Sequence, residues 1–127
     1  IGQNDLVVTA DTVVVVGNEI LGKPKDAEDA HRMLRLIGGR THQVVTGVCL
    51  LTADKERCFS VTTDVTFKQL SEEEITYYIE NYKPFDKAGS YGIQEWIGYV
   101  GVTSISGSYF NVMGLPVQRV WEEIKKL

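Results

Sequence analysis

Asp11 is the residue whose placement most needs a chemical reason. It lies in the middle of the run Leu6 to Val16, LVVTADTVVVV, an extended and β-branched stretch that reads as a strand buried on both faces. Side chains alternate along a strand, so Asp11 shares a face with Val7, Thr9, Val13 and Val15. A lone buried carboxylate is costly unless a cation or hydrogen-bond donors meet it. Asp11 is therefore expected to serve a ligand; the competing reading is a bulge or strand end where it caps a turn.

Lys23 and Lys25 flank Pro24 in a loop shortly after that strand. A stiffened loop carrying two ammonium groups suits phosphate oxygens, although an ordinary solvated turn has the same composition. Asp86-Lys87-Ala88-Gly89, followed by Tyr91-Gly92-Ile93-Gln94, is the next cluster. Its small residues let backbone approach a ligand, and Asp86 and Lys87 could join a metal–phosphate site. The Gln94 amide could hydrogen-bond a base edge; a surface salt bridge on a loop is the plainer reading. His42, at a strand entry, reads as a satisfied structural histidine, and His31 as a residue on an exposed helix face. Asn111 is the one polar group of note in the turn and packing segments GSYF and NVMGLP.

These residues need elements to hold them. Gly17-Asn18 is a turn signal, with Glu19-Ile20-Leu21 returning as a short hairpin arm. A helix is predicted over 26–37, capped by Asp26, with Ala30, Met33, Leu34 and Ile37 as its apolar stripe and Gly38-Gly39 as its stop. Two long strands follow, over 43–52 and 58–67, joined by the polar turn Ala53-Asp54-Lys55-Glu56. Ser71-Glu72-Glu73-Glu74 is a capping box opening a helix to about Asn81. Short strands are predicted over 99–105 and 109–113 around Ser106-Gly107-Ser108. A last helix has Pro116 near its first position. Alternating helices and strands predict one α/β domain over residues 1–127, with a mixed, twisted sheet flanked by helices.

Composition removes several functions. The chain has 127 residues and a net charge of −4, which disfavours a broad nucleic-acid-binding face. No apolar run is long enough to span a membrane. Walker A, GxGxxG, HExxH and GxSxG patterns are absent. Cys49 and Cys58 match no zinc spacing and are expected to be half-buried thiols of a reducing, cytoplasmic compartment. Ile1-Gly2-Gln3-Asn4-Asp5 offers neither an initiator Met nor a basic n-region, so the chain is expected to begin mid-protein.

The segments TADTVV, ILGKPKDAEDAHRML, GRTHQVVTGV, VTTDVTF, LSEEEITYYI, PFDKAGSYGIQ and GSYFNVMGLPVQRV occur in this order across the chain. In order and spacing they resemble the Maf family of nucleoside triphosphate pyrophosphatases. The resemblance implies an elongated α/β fold with a deep central cleft, akin to the house-cleaning inosine triphosphate pyrophosphatases. It implies hydrolysis of a nucleoside triphosphate to monophosphate and pyrophosphate with a divalent metal, Mg or Mn. Asp11 would be the catalytic carboxylate, as base or as metal ligand, and Lys23 the phosphate-binding lysine of the GKP motif. Thr12 and Gln94 would tune base preference, and Asp86 and Lys87 match the DKAG loop that lines the cleft. The ADT and GIQ forms resemble the branch preferring dTTP and UTP.

Family members begin with a strand, an SxSPRR-like phosphate loop and a helix that these residues do not include. The resemblance therefore implies N-terminal truncation and leaves the Asp11 strand an apolar edge open to association, as in a homodimer. The competing function is a catalytically silent nucleotide-binding or regulatory module linked to septum formation.

Overall fold

The structure, a computed structural model, describes residues 4–127; the reading of the opening Ile1-Gly2-Gln3 lies outside them. The sheet grows from long, β-branched strands. β1 (Val7–Val16) turns at Gly17, whose φ is +58°, into β2 (Glu19–Leu21). β3 (Thr41–Leu51) and β4 (Glu56–Phe67) form a long hairpin, and β5 (Val102–Ser106) adds the far edge. The order is β2-β1-β3-β4-β5. The α/β class holds, and each of these pairings is antiparallel.

Helices cover one sheet face. α1 (Ala27–Ile37) starts at Asp26, whose side chain accepts from the Asp29 amide, and buries Ala30, Met33, Leu34 and Ile37 as predicted. α2 (Glu72–Tyr82) opens with the complete capping box of Ser71 and Glu74 and buries Ile75, Tyr78 and Ile79. These stripes pack on Val14, Val16, Val44, Val65 and Phe67 in the main core. Farther along the same face, Val48 and Leu50 pack on Val120 of α5 (Val117–Ile124), which begins after Pro116.

Several expectations change. β1 is not buried on both faces: its burial begins only at Val14, and Leu6, Val7 and Val8 are exposed. The helices cover a single face, and β2 pairs with Val14–Val16 alone, leaving one edge of β1 without a strand partner over 7–13 among the described residues. The residues read as strands over 99–105 and 109–113 are partly helical. α3 (Trp96–Gly101) precedes β5, and α4 (Tyr109–Met113) runs from the Ser108 cap to Gly114 at φ +118°. Ser108 accepts from the Asn111 amide, and this cap outweighs the strand preference of Tyr, Phe and Val. Cys49 and Cys58, expected as thiols, are joined in a disulfide. The β3–β4 register sets them directly opposite, which brings their sulfurs together.

Candidate active site

Between the two apolar clusters the covered face turns polar. Thr12 of β1 pairs with Thr46 of β3, and their hydroxyls lie 2.9 Å apart. Thr46 reaches the Asn111 carbonyl at 3.4 Å, and the buried Asn111 amide donates toward the Val44 and Val61 carbonyls and the Thr63 hydroxyl. This belt fastens α4 to the sheet. Gly114, at the end of α4, then closes over Thr12: a Cβ there would lie 3.9 Å from the threonine oxygen.

The opposite wall is made by two loops tied together. Gly89 donates its amide to the Gly22 carbonyl at 3.0 Å, which fixes the 86–94 loop against the loop carrying Lys23. Gly89 is left-handed, at φ +70°, and packs so closely on β1 that a Cβ would meet Val14 Cγ2 at 2.7 Å. Only glycine meets both demands without strain. Ser90 is left-handed too, at φ +66°, and is fully buried.

The result is a cleft of about 490 Å³ lined by Asp11, Thr12, Lys23, Asp86, Lys87 and Gln94, with Tyr91 and the end of α4 completing its walls. That volume lies within the usual range of small-molecule sites. The floor is apolar, from Val14 and Val44, and the charge sits at the rim. Lys87 Nζ is 3.1 Å from Asp86 Oδ1, and this ammonium holds the Asp86 carboxyl below its ordinary range, with Lys23 adding to the effect.

Asp11 is exposed, not buried, and no hydrogen bond or ion pair engages its carboxylate among the described residues. Side chains alternate along β1, so Asp11 lies on the opposite sheet face from Thr12, and both residues line the cleft. Its availability, not the cost of its burial, marks it. Lys25 stands outside the cleft lining; its exposed backbone N–H donates to Asp29 Oδ2 at 2.9 Å.

His42 is structural. It is fully buried behind the cleft wall, with Nε2 2.6 Å from Tyr91 Oη and no partner for Nδ1. Burial pushes its imidazole down to about 4, so it stays neutral. His31 is partly buried, with Nδ1 4.0 Å from a Glu72 carboxylate oxygen.

Sequence reasoning missed Gly22 and the α4 end as cleft walls, and named Tyr91 only as part of the 86–94 segment. Ser108 and Gly114, a cap and a stop five residues long between them, carried the signal for α4.

No group of three or more His, Cys, Asp or Glu side chains able to hold a metal occurs among the described residues. Nor is any helix there long and apolar enough to cross a membrane.

The whole chain, residues 1–127, matches the family described as Maf-like protein. A protein of Phocaeicola vulgatus named dTTP/UTP pyrophosphatase is 61% identical over 124 residues, 98% of this chain and 64% of that protein. A Bacteroides fragilis protein of the same name is 58% identical over 127 residues, 100% of this chain and 66% of its own length. One from Porphyromonas gingivalis is 60% identical over 123 residues, 97% of this chain and 62% of its own length. The chain thus spans just under two thirds of these relatives.

Proposed function

The chain belongs to the Maf-like protein family, and from there we propose that it hydrolyses nucleoside triphosphates, dTTP and UTP foremost, to the monophosphate and pyrophosphate. One observation carries this reading: a single cleft gathers an open carboxylate, two lysines and an exposed amide side chain. The relatives' names support an enzyme over the silent septum-linked module.

In this reading the triphosphate lies along the wall where Lys23 and Lys87 supply ammonium groups for its oxygens. Both act as point charges and offset the negative charge that builds as pyrophosphate leaves. Asp11, fixed on a strand but open to solvent, orients a water at its carboxylate and takes its proton as the oxygen attacks the α-phosphorus in line. The donor set fits a magnesium-type ion, because such an ion takes one or two carboxylates and completes its shell with phosphate oxygens and water. In the alternative role, Asp11 would hold that ion in place of taking the proton, and the ion would supply further charge neutralisation at the phosphoryl group. Gln94 and Thr12 face the base. In this reading the protein acts on the cytoplasmic nucleotide pool.

The test is pyrophosphate release from dTTP, UTP, GTP and 7-methyl-GTP with Mg or Mn, for the protein and for Asp11→Asn. Pyrimidine-selective release that disappears in Asp11→Asn is the expected result. Release that persists in the variant would remove Asp11 from the mechanism, and no release from any nucleotide would sink the hydrolase reading.

A further inference from the structure

Gln94 reaches the cleft from a short turn, and the turn's support lies behind it, in the core. The Glu95 amide donates to the Gly92 carbonyl at 3.0 Å, closing a turn with Ile93 and Gln94 at its centre. Ile93 is buried and anchors the turn inward, while Gln94 is exposed to the cleft. Both ends of the turn meet one oxygen. Tyr78 of α2 donates its hydroxyl to Glu95 Oε1 at 2.5 Å and accepts the Gly92 N–H at 3.0 Å. Its side chain is fully buried and its ring stacks on Tyr82 at 5.2 Å between centroids. Packing alone would be served equally well by phenylalanine. The hydroxyl has a separate task, since a buried polar atom costs free energy unless its bonds are made.

We propose that Tyr78 is a positioning residue for base selection, its hydroxyl fixing both ends of the turn that presents Gln94. The proposal rests on the reading of Gln94 as a base-facing group. Tyr78 touches no substrate. It acts through Gly92 and Glu95, which allow the turn little freedom: a Cβ on Gly92 would lie 2.7 Å from Lys87 Cε and 2.9 Å from Glu95 Oε1. The turn is thus wedged between the lysine stem and the glutamate carboxylate. With the hydroxyl gone, the Gly92 N–H and the Glu95 carboxylate lose their shared partner, and Gln94 samples orientations that do not match the base.

The deciding experiment compares the affinities of α,β-methylene-dTTP and α,β-methylene-GTP by calorimetry for the protein and for Tyr78→Phe, Glu95→Ala, Glu95→Gln and the Tyr78→Phe/Glu95→Ala double variant. Neither analogue is turned over at the α-phosphate, so the measurement does not depend on catalysis. Tyr78→Phe, which removes both hydrogen bonds of the hydroxyl, should cut the preference for the thymine analogue by about five- to tenfold, and Glu95→Ala, which removes one of them, by less. The double variant should fall no further than Tyr78→Phe, since that change already breaks the link to Glu95. Glu95→Gln keeps an acceptor oxygen and should keep the preference. Exchange of the Gly92 amide, followed by NMR, should accelerate in Tyr78→Phe while the α1 amides stay protected. An unchanged preference in Tyr78→Phe, or an unchanged Gly92 exchange rate, would overturn the proposal. Equal binding of the two analogues by the unaltered protein would overturn it as well. Selective binding without pyrophosphate release would instead count against hydrolysis and leave the positioning role standing.

Discussion

Thr12 Oγ1 and Thr46 Oγ1 are 2.9 Å apart on directly paired positions of β1 and β3, and Thr46 passes its proton on to the Asn111 carbonyl. Each hydroxyl has one proton; with that of Thr46 directed at the Asn111 carbonyl, Thr12 is the expected donor to Thr46, which leaves its lone pairs for the cleft. Uracil and thymine carry an N–H at ring position three, where cytosine carries an acceptor. On the proposed reading, in which Thr12 faces the base, an acceptor-only hydroxyl is expected to favour UTP and dTTP over CTP. Thr46→Val releases the Thr12 proton. Discrimination against CTP in kcat/KM should drop about tenfold and stability by about 1 kcal/mol. A UTP to CTP ratio unaltered by the substitution would show that Thr12 does not read this edge.

Lys23 lines the cleft and Lys25 does not. Lys23→Met should raise KM for dTTP about tenfold through loss of a charge-assisted contact, whereas Lys25→Met should leave KM within about twofold, as for an ordinary exposed lysine. Steady-state kinetics on the two variants distinguishes them. Equal effects would mean that the bound triphosphate extends beyond the cleft.

The buried His42 sets a pH dependence. Its folded pKa is lowered, by desolvation first, to about 4, from an ordinary value of 6.5. The unfolded chain binds the proton more readily, so this contribution is complete above pH 6.5 and is lost as pH falls toward 4. It amounts to roughly 3 kcal/mol. Glu123 acts in a lower window: Arg57, then Arg119 and Lys126, hold its carboxyl down to about 2. Urea unfolding of the protein and of His42→Gln at pH 7 and pH 5 isolates the histidine. Parallel losses in both proteins would assign the slope to other groups.

The Cys49–Cys58 disulfide closes a hairpin of nine-residue separation. A loop that short gives at most about 2 to 3 kcal/mol of chain-entropy stabilisation, and the β3–β4 pairing already supplies part of that closure. Thiol titration of the unfolded, unreduced protein should find no free cysteine. Reduction should lower the unfolding midpoint modestly and leave nucleotide binding intact, because neither residue lines the cleft. Two titratable thiols before reduction would return the pair to the sequence-based expectation.

Local signals were the legible ones. Asp26 and Ser71 cap the helices they were expected to cap, and the two long strands read around the polar turn at 53–56 are the β3–β4 hairpin. Asp11, Thr12, Lys23, Asp86, Lys87 and Gln94 do meet in one cleft. What the sequence hid depended on tertiary arrangement. A valine-rich strand reads as buried on both faces, but helices cover only one, so Asp11 is open where it was expected to be enclosed. The disulfide depends on register between two strands, which composition does not encode. Tyr78 resembles any other core aromatic until the partners of its oxygen are known.

The turn behind Gln94 is held by its neighbours' atoms: a glycine amide, a glutamate carboxylate and one backbone bond between them. Among the described residues the Gln94 side chain takes part in none of this scaffolding. Support and readout are thus separable in heredity. On the proposed reading of Gln94 as the base-facing group, a single codon change at position 94 would alter what is read and leave the mount untouched, so nucleotide preference would be free to change at little cost in stability.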